Sequence, residues 1–418
     1  MKEVQNSVPA VETSTGYGAR PHAVLVLTYW SFADALVQTY TLPYLRIMRK
    51  VLPPGSVIHL FTLEKDGREG SRSVEPGIQL HAFRYVPFGP AALAMMARLL
   101  WHGLRVIRRE QVRTIHAWCT PAGMIGHLLS VLSGRPLVLD SYEPHAEAMV
   151  ENGTWRRSGM AFRTLFRSER SQSRRAVAHI ACAEGMRGYA REKFGVSCER
   201  FFVKPACVDL DRFSWAHRKS PELLRRMGLE GKLVAVYAGK FGGIYLDQEV
   251  FDLLRVARDH WGERFHALLL TAHGAEELEP YMRTAGLDPS MFTIRFVPHA
   301  EVPLYMGLGD FALTPVRSVP TKRYCTPIKD GEYWALGLPV LINPDISDDS
   351  RIIAEARAGV VLQGLSTDSY RRAVLEMDAL LAEGHEALYQ RIRPLAEKYR
   401  NFGIAETIYR SIYGNGQR

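Results

Sequence analysis

The run from Cys325 to Val340, Cys-Thr-Pro-Ile-Lys-Asp-Gly-Glu-Tyr-Trp-Ala-Leu-Gly-Leu-Pro-Val, concentrates chemistry more than any other stretch of this chain. Thr326 suits a helix N-cap and Pro327 the first helical position. Ile328 then opens a short helix that Gly337 and Pro339 stop, before a strand at Pro339 to Ile342. Free N–H groups and the positive dipole end at such a helix start make a phosphate site. Lys329 falls in the first turn, where a cation opposes the dipole, and a bound anion would remove that conflict. Glu332, three residues on and on the same face, can accept hydrogen bonds from sugar hydroxyls beside such a phosphate. The same spacing also describes a helix with a solvated Lys–Glu pair, and the residues alone weigh the two readings evenly.

A second run is Tyr237-Ala-Gly-Lys-Phe-Gly-Gly-Ile-Tyr245. Gly239 and Gly242 flank Phe241 in a turn directly after an apolar strand and permit close backbone approach to a ligand. Lys240 supplies a cation there. The run is neither a G-x-G-x-x-G fingerprint nor a P-loop.

A third run, Asp140-Ser-Tyr-Glu-Pro-His-Ala-Glu147, follows a strand that reads as buried. Glu143 and His145 are candidate contacts for an acceptor or a donor sugar, and His145 is a candidate proton shuttle. The alternative is a helix-capping loop with polar surface residues. His116, at the end of the preceding strand, reads either as an acceptor-side residue or as a satisfied core histidine. Tyr29 and Trp30 lie on the loop after the first strand, where acceptor contacts are expected.

The elements that must position these runs alternate. Apolar or β-branched runs at 23–28, 57–62, 79–85, 112–116, 136–140, 178–182 and 201–204 are mostly separated by helix-length segments, and the pattern restarts at 233–238, 266–271, 292–296, 311–314 and 339–342. Strand–helix alternation of this kind predicts parallel sheets covered on both faces. The expected organisation is a poorly ordered tail over 1–21, an α/β domain over 22–207, a second over 208–385, and a helix over 386–418 packing back on the first domain. Two Rossmann-like, doubly wound domains facing across a cleft would place the loops at their strands' carboxyl ends in that cleft.

Length and composition agree. The 418 residues exceed one ordinary core and suit two domains of roughly 200 residues each. With 47% hydrophobic and 23% charged residues, collagen, coiled coils and wholly disordered chains are excluded. Five scattered cysteines without a Cys-x-x-Cys pair predict neither a disulfide framework nor a structural zinc site, and fit a reducing compartment. The chain opens without a secretory pattern, so a cytoplasmic location is expected. The most apolar long stretch, 91–107, is interrupted by Arg98, His102 and Arg105 and predicts no membrane span. The net charge of +9 has a local source. Residues 155–175 hold seven Arg against one acid, interleaved with Trp155, Met160, Phe162, Leu165 and Phe166. Such a helix is either an ordinary solvated arginine face or a peripheral contact for the inner face of an anionic membrane. No nucleic-acid-binding motif accompanies the charge.

Several segments in order resemble nucleotide-sugar glycosyltransferases of the GT-B architecture, most of all glycosyltransferase family 4. They are Val203-Lys-Pro-Ala-Cys-Val-Asp-Leu-Asp-Arg-Phe213, Tyr237-Ala-Gly-Lys240, Ala267-Leu-Leu-Leu-Thr-Ala-His-Gly274, Phe296-Val-Pro-His-Ala-Glu-Val-Pro-Leu-Tyr305 with Gly309-Asp310, and Glu332-Tyr-Trp-Ala-Leu-Gly-Leu-Pro-Val340. The resemblance covers about 200–345 well and the first half in outline. It implies a nucleoside diphosphate sugar donor held by the second domain and passed to a glycan, lipid-linked or small-molecule acceptor. Retention of configuration, no cofactor and no obligatory metal are implied with it. Lys240 matches the basic residue on the diphosphate and Glu332 the carboxylate on the ribose. Thr326, Pro327, Ile328 and Lys329 occupy the helix-start loop beside the phosphates, and Val297, Pro298 and His299 lie near the base. Two departures stand out. The family's Glu-x7-Glu pattern meets Tyr324 where a carboxylate belongs, and its second basic residue is missing from 242–246. Lys322, Arg323 and Lys329 are the cations at hand. Three rival functions keep the same residues: a sugar-nucleotide epimerase or hydrolase, a noncatalytic nucleotide-sugar binding subunit, and a basic membrane scaffold.

Overall fold

The computed structural model describes residues 21–34, 36–87, 89–197 and 199–414. All but the last residue of the tail expected over 1–21 lie outside the described residues, as does Cys198.

The strands are β1 (Ala23–Leu27), β2 (Val57–Glu64), β3 (Gly70–Glu75), β4 (Ile78–Arg84), β5 (Val112–Trp118), β6 (Leu137–Tyr142), β7 (Ala178–Ala181) and β8 (Phe201–Val203) in one sheet. The second sheet has β9 (Leu233–Ala238), β10 (Phe265–Leu270), β11 (Phe292–Arg295), β12 (Phe311–Thr314), β13 (Val340–Ile342) and β14 (Gly359–Val361). Helices in the first half are α1 (Leu42–Val51), α2 (Pro90–Arg109), α3 (Thr120–Ser133), α4 (His145–Glu151), α5 (Met160–Arg175) and α6 (Gly185–Phe194). The second half adds α7 (Pro221–Arg226), α8 (Gln248–Trp261), α9 (Ala275–Ala285), α10 (Val302–Met306), α11 (Ile328–Ala335), α12 (Asp349–Ala356), α13 (Thr367–Leu381), α14 (His385–Tyr399) and α15 (Gly403–Tyr413).

The sheet orders are β3-β4-β2-β1-β5-β6-β7-β8 and β11-β10-β9-β12-β13-β14. Every pairing is parallel except β3 against β4. The first strand of each half runs mid-sheet because it is apolar on both faces. In β1, Ala23, Leu25 and Leu27 enter one core while Val24 and Val26 enter the other. In β9, Val234, Val236 and Ala238 divide in the same way from Ala235 and Tyr237. Trimming such a residue to alanine costs about 2–5 kcal/mol for a leucine. Two strands, β3 and β14, lie outside the sequence expectation.

The halves are joined by two crossings that touch. The chain leaves β8 through 204–208 and returns between α14 and α15. Val208 N–H donates to Arg400 O at 2.8 Å. The fully buried Arg400 side chain pairs with Asp349, and its guanidinium lies 5.1 Å from the Trp334 ring centre. The helix expected as one element over 386–418 is therefore two within the described residues. Helix α14 packs along α11 in the second domain, and only α15 returns, to pack on α1.

Candidate active site

Helix α11 is preceded by a 3-10 turn over Pro320–Tyr324. Its N-cap is Pro327, in extended backbone, with no side-chain cap, which corrects the expected cap at Thr326. Thr326 is spent elsewhere: its Oγ1 donates across the cleft to Cys182 O at 2.6 Å. The helix tip thus stands at the junction of the lobes with its first-turn N–H groups uncapped by side chains. The acid of that turn, Asp330, points into the core and accepts from Thr314 Oγ1. Burial first, then the neighbouring Asp349, push its carboxyl well above the ordinary range, so it favours the neutral form and cancels little of the dipole.

Lys329 leaves the same turn in the opposite sense. Its Cε stands 3.0 Å from where a Cβ on Gly239 would be, and its Nζ lies 5.5 Å from the Tyr245 ring centre. Any side chain at 239 would crowd Lys329 and the Tyr237 hydroxyl. The turn after β9 is further shaped by Gly242 (φ +76°) and Gly243 (φ +65°) in left-handed backbone. Lys240 is exposed on this turn, and its carbonyl accepts from Tyr237 Oη. Phe241 is buried against Tyr237 and Phe251, ring centres 5.1 and 5.5 Å away. It anchors the turn in the core and is not a ligand surface, a correction to its donor-binding assignment. Phe241 N–H donates to His273 Nε2 at 3.3 Å, and His273 Nδ1 lies 2.9 Å from Glu277 Oε2.

Glu332 is buried one turn below Lys329. Burial pushes its carboxyl up to about 7, against the opposing pull of Lys329 and Arg212. Arg212 also holds the next loop: its Nη1 is 3.0 Å from His299 Nδ1 and its Nη2 donates to His299 O. Val297 is buried beneath that loop, whereas Pro298 and His299 are exposed. The runs around 240, 298 and 329 are far apart in sequence and meet here. Arg212 and His273 are additions that residue typing did not single out. Both lay inside motif segments, at a capped turn and at the carboxyl end of β10. Among the described residues no group of three or more His, Cys, Asp or Glu could hold a metal ion. Asp209 Oδ1 accepts from the N–H groups of Asp211 and Arg212, each at 3.1 Å, a capping role.

The opposite wall comes from the loop after β6. Glu143 Oε2 accepts the Cys325 thiol at 3.3 Å, and Glu143 Oε1 is 3.6 Å from His145 Nδ1. Burial alone would raise the Glu143 carboxyl, but His145, Cys325 and Lys322 together hold it below the usual carboxylate range. Burial would lower His145, and Glu143 outweighs it, so the imidazole is raised. Behind them Glu169 is buried, accepting from Thr120 Oγ1 at 3.0 Å and Ala146 N–H at 2.9 Å. Burial drives Glu169 up to about 7. The same loop of the second lobe is fastened to the first by Thr321 on Glu151 and by the Tyr324 and Tyr189 rings, 5.2 Å apart. Tyr324 thus turns its side chain onto α6.

The three acceptor-side expectations resolve differently. His116 is a correction: it is fully buried, with Nδ1 2.7 Å from Tyr413 Oη and Nε2 3.2 Å from Asp140 Oδ2. Asp140 also meets Lys204 Nζ at 3.0 Å and accepts from Tyr409 Oη at 2.8 Å. Burial would raise Asp140, and Lys204 with His116 hold it at about 2. Tyr29 stands at the rim of β1, its hydroxyl 3.2 Å from that of Tyr85. Trp30 packs against both cores of the first domain while its carbonyl accepts from Leu63 N–H.

The arrangement gathers Lys240, Lys329, Arg212 and a helix tip on one wall, with an imidazole–carboxylate pair on the other. The first wall suits stabilising negative charge on a leaving group, and the second suits handling a proton.

Comparison with known proteins bears on the fold. Residues 12–207 match the model of the glycosyl transferase 4-like domain. That match falls on the first half, which the sequence motifs covered only in outline. Among curated proteins, no sequence matches the chain. Among solved structures, sucrose-phosphate synthase from Thermosynechococcus elongatus superposes with a TM-score of 0.71 at 12% identity, covering 94% of this chain and 98% of that one. Anabaena HepE in complex with UDP and glucose gives 0.67 at 14% identity over 94% and 98%. WaaG, a glycosyltransferase involved in lipopolysaccharide biosynthesis, gives 0.68 at 14% over 94% and 100%. The first half thus matches a glycosyl transferase 4-like domain, and the chain as a whole has the two-domain GT-B fold of these solved structures.

Proposed function

We propose that this protein moves a hexose-type sugar from a nucleoside diphosphate donor to a glycan, lipid-linked or small-molecule acceptor, with retention of anomeric configuration and without an obligatory metal or cofactor. The observation that carries the reading is the uncapped tip of α11, with Lys329 laid across Gly239, at the junction of the two lobes. A uridine diphosphate is the first donor class to try, because HepE was solved with UDP and glucose.

In this reading Lys329, Lys240 and the α11 N–H groups take up the charge that develops on the departing diphosphate. Preorganised donors of this kind supply the largest single catalytic contribution in many enzymes. Glu332, once ionised, accepts from the ribose hydroxyls, and the 297–299 loop held by Arg212 borders the base. His145, poised by Glu143, exchanges the proton of the acceptor hydroxyl. Tyr324 on Tyr189 leaves no carboxylate at that position for the donor sugar. This favours a second reading, a noncatalytic binding subunit.

One experiment separates them. The protein is incubated with UDP-sugars and an acceptor panel with and without a chelator, and products are followed by proton NMR of the anomeric signal. The proposal expects glycoside of unchanged configuration at a rate insensitive to chelator. Inverted product refutes retention, chelator-sensitive turnover refutes metal independence, and binding without turnover selects the second reading.

A further inference from the structure

Four lysines and arginines are buried among the described residues: Lys204, Arg218, Lys322 and Arg400. Burying a charge is costly unless a partner is buried with it. Three of them have such partners. Lys204 Nζ meets Asp140 at 3.0 Å, Arg400 pairs with Asp349, and Arg218 Nη1 donates to Gly307 O at 3.0 Å and to Gly309 O. Lys322 is only 8% exposed, yet among the described residues its ammonium makes no ion pair and no hydrogen bond.

The turn that carries Lys322 is pressed between the lobes. Thr321 donates to Glu151, the Tyr324 ring centre lies 5.2 Å from that of Tyr189, Cys325 donates to Glu143, and Thr326 donates to Cys182 O. The adjacent Arg323 is exposed and has an acid of its own, Asp345, at 3.4 Å. The Lys322 charge helps hold the Glu143 carboxyl down and opposes a charge on His145, so its ammonium stands near that pair. Glu143 is taken up at closer range by the Cys325 thiol at 3.3 Å and by His145 at 3.6 Å.

We propose that Lys322 selects donors whose sugar carries a carboxylate, the uronic acids, by pairing its ammonium with that carboxylate. The inference rests on the transfer reading for the place of the donor and goes beyond it in naming the sugar class. The turn over Pro320–Tyr324 leads directly to the α11 tip, so a sugar attached to a diphosphate at that tip borders this turn. A neutral hexose offers hydroxyls, which leave a buried ammonium uncompensated, whereas a carboxylate gives it a charge-assisted hydrogen bond. Position 324 agrees. An acid there would repel a uronate, and the tyrosine present turns its ring onto Tyr189 instead. Lys322 belongs to the lobe that holds the diphosphate, which favours the donor over an acidic acceptor as the source of the carboxylate.

The test is calorimetric titration of the full chain, without acceptor, with UDP, UDP-glucose, UDP-galactose, UDP-glucuronate and UDP-galacturonate. One of the uronates is expected to bind at least about tenfold more tightly than its neutral counterpart, the scale of one charge-assisted contact. Lys322→Met brings that ratio to about one, and Lys322→Arg, which keeps the charge, retains most of it. UDP titrated alone shows in each protein that the nucleotide site is formed. Because Lys322→Met removes an unpaired buried charge, its melting temperature without ligand should equal or exceed that of wild type. Equal affinity for acidic and neutral donors in a wild type that binds UDP overturns the inference and leaves the transfer reading standing. A uronate preference that survives in Lys322→Met overturns it as well. No binding of UDP overturns the uridine donor, and the inference falls with it.

Discussion

Two carboxylates three residues apart, at the end of one strand, lead different lives. Asp140 is sealed in the core between Lys204, His116 and Tyr409. Glu143 has turned past the strand end to the cleft, where its partners are His145 and a thiol from the other lobe. Both carboxyls are held below their ordinary range, so a depressed acid does not by itself mark a functional residue. What separates them is the completeness of the partner set. Every group around Asp140 belongs to the fold, including the tyrosines by which α15 is fixed to the first domain. Around Glu143 the partners come from both lobes, and the pair is only half-buried. The strand residue that points inward is enclosed by the fold, and the one past the strand end faces the cleft between the lobes.

That contrast can be broken from either side. Asp140→Asn leaves Lys204 uncompensated in the core and should cost about 3–5 kcal/mol in urea-unfolding stability, because one half of a buried pair remains. Glu143→Gln should leave the unfolding midpoint nearly unchanged and lower turnover by at least about 100-fold, the scale of lost proton handling. His116→Asn removes a buried partner of Asp140 and should cost about 1–3 kcal/mol, with kcat per folded molecule preserved. A turnover loss in His116→Asn at unchanged stability would return that residue to the acceptor side.

The smallest effect concerns pH. Glu169 sits at about 7 in the fold against 4.5 for the free side chain, so between those values the folded form holds the extra proton. Stability should therefore fall as pH rises through 4.5 to 7, the opposite of the Asp140 contribution, which is lost only as pH drops below 3.8 toward 2. Glu169→Gln should flatten the upper slope, as read by melting temperature against pH. An unchanged slope would show that Glu169 is ordinary.

Much of this was legible in the residues. Central strands such as β1 and β9 declare themselves as apolar runs of five and six residues. The edge strand β3 does not, because Gly-Ser-Arg-Ser-Val-Glu has no buried face to write into the sequence. The three-residue β14 is too short to show a period. The position of α11 was plain from Pro327 and Gly337, but its cap was not. Thr326 has the right chemistry for capping and is taken by Cys182, a partner that only the folded lobes supply. Likewise the break at Arg400 reflects a guanidinium drawn inward by Asp349, which no helical period records. Arg212 and His273 escaped because their roles depend on which loops lie beside them.

The central claim is that the α11 tip and its Lys329 hold the diphosphate. Calorimetric titration of UDP-sugars into wild type and Lys329→Met measures it most directly. Wild type should bind in the micromolar range typical of enzyme–substrate pairs, and the variant should lose at least about tenfold in affinity while melting at the same temperature, as expected for a lost charge-assisted contact. Equal affinity in the two proteins would contradict the account.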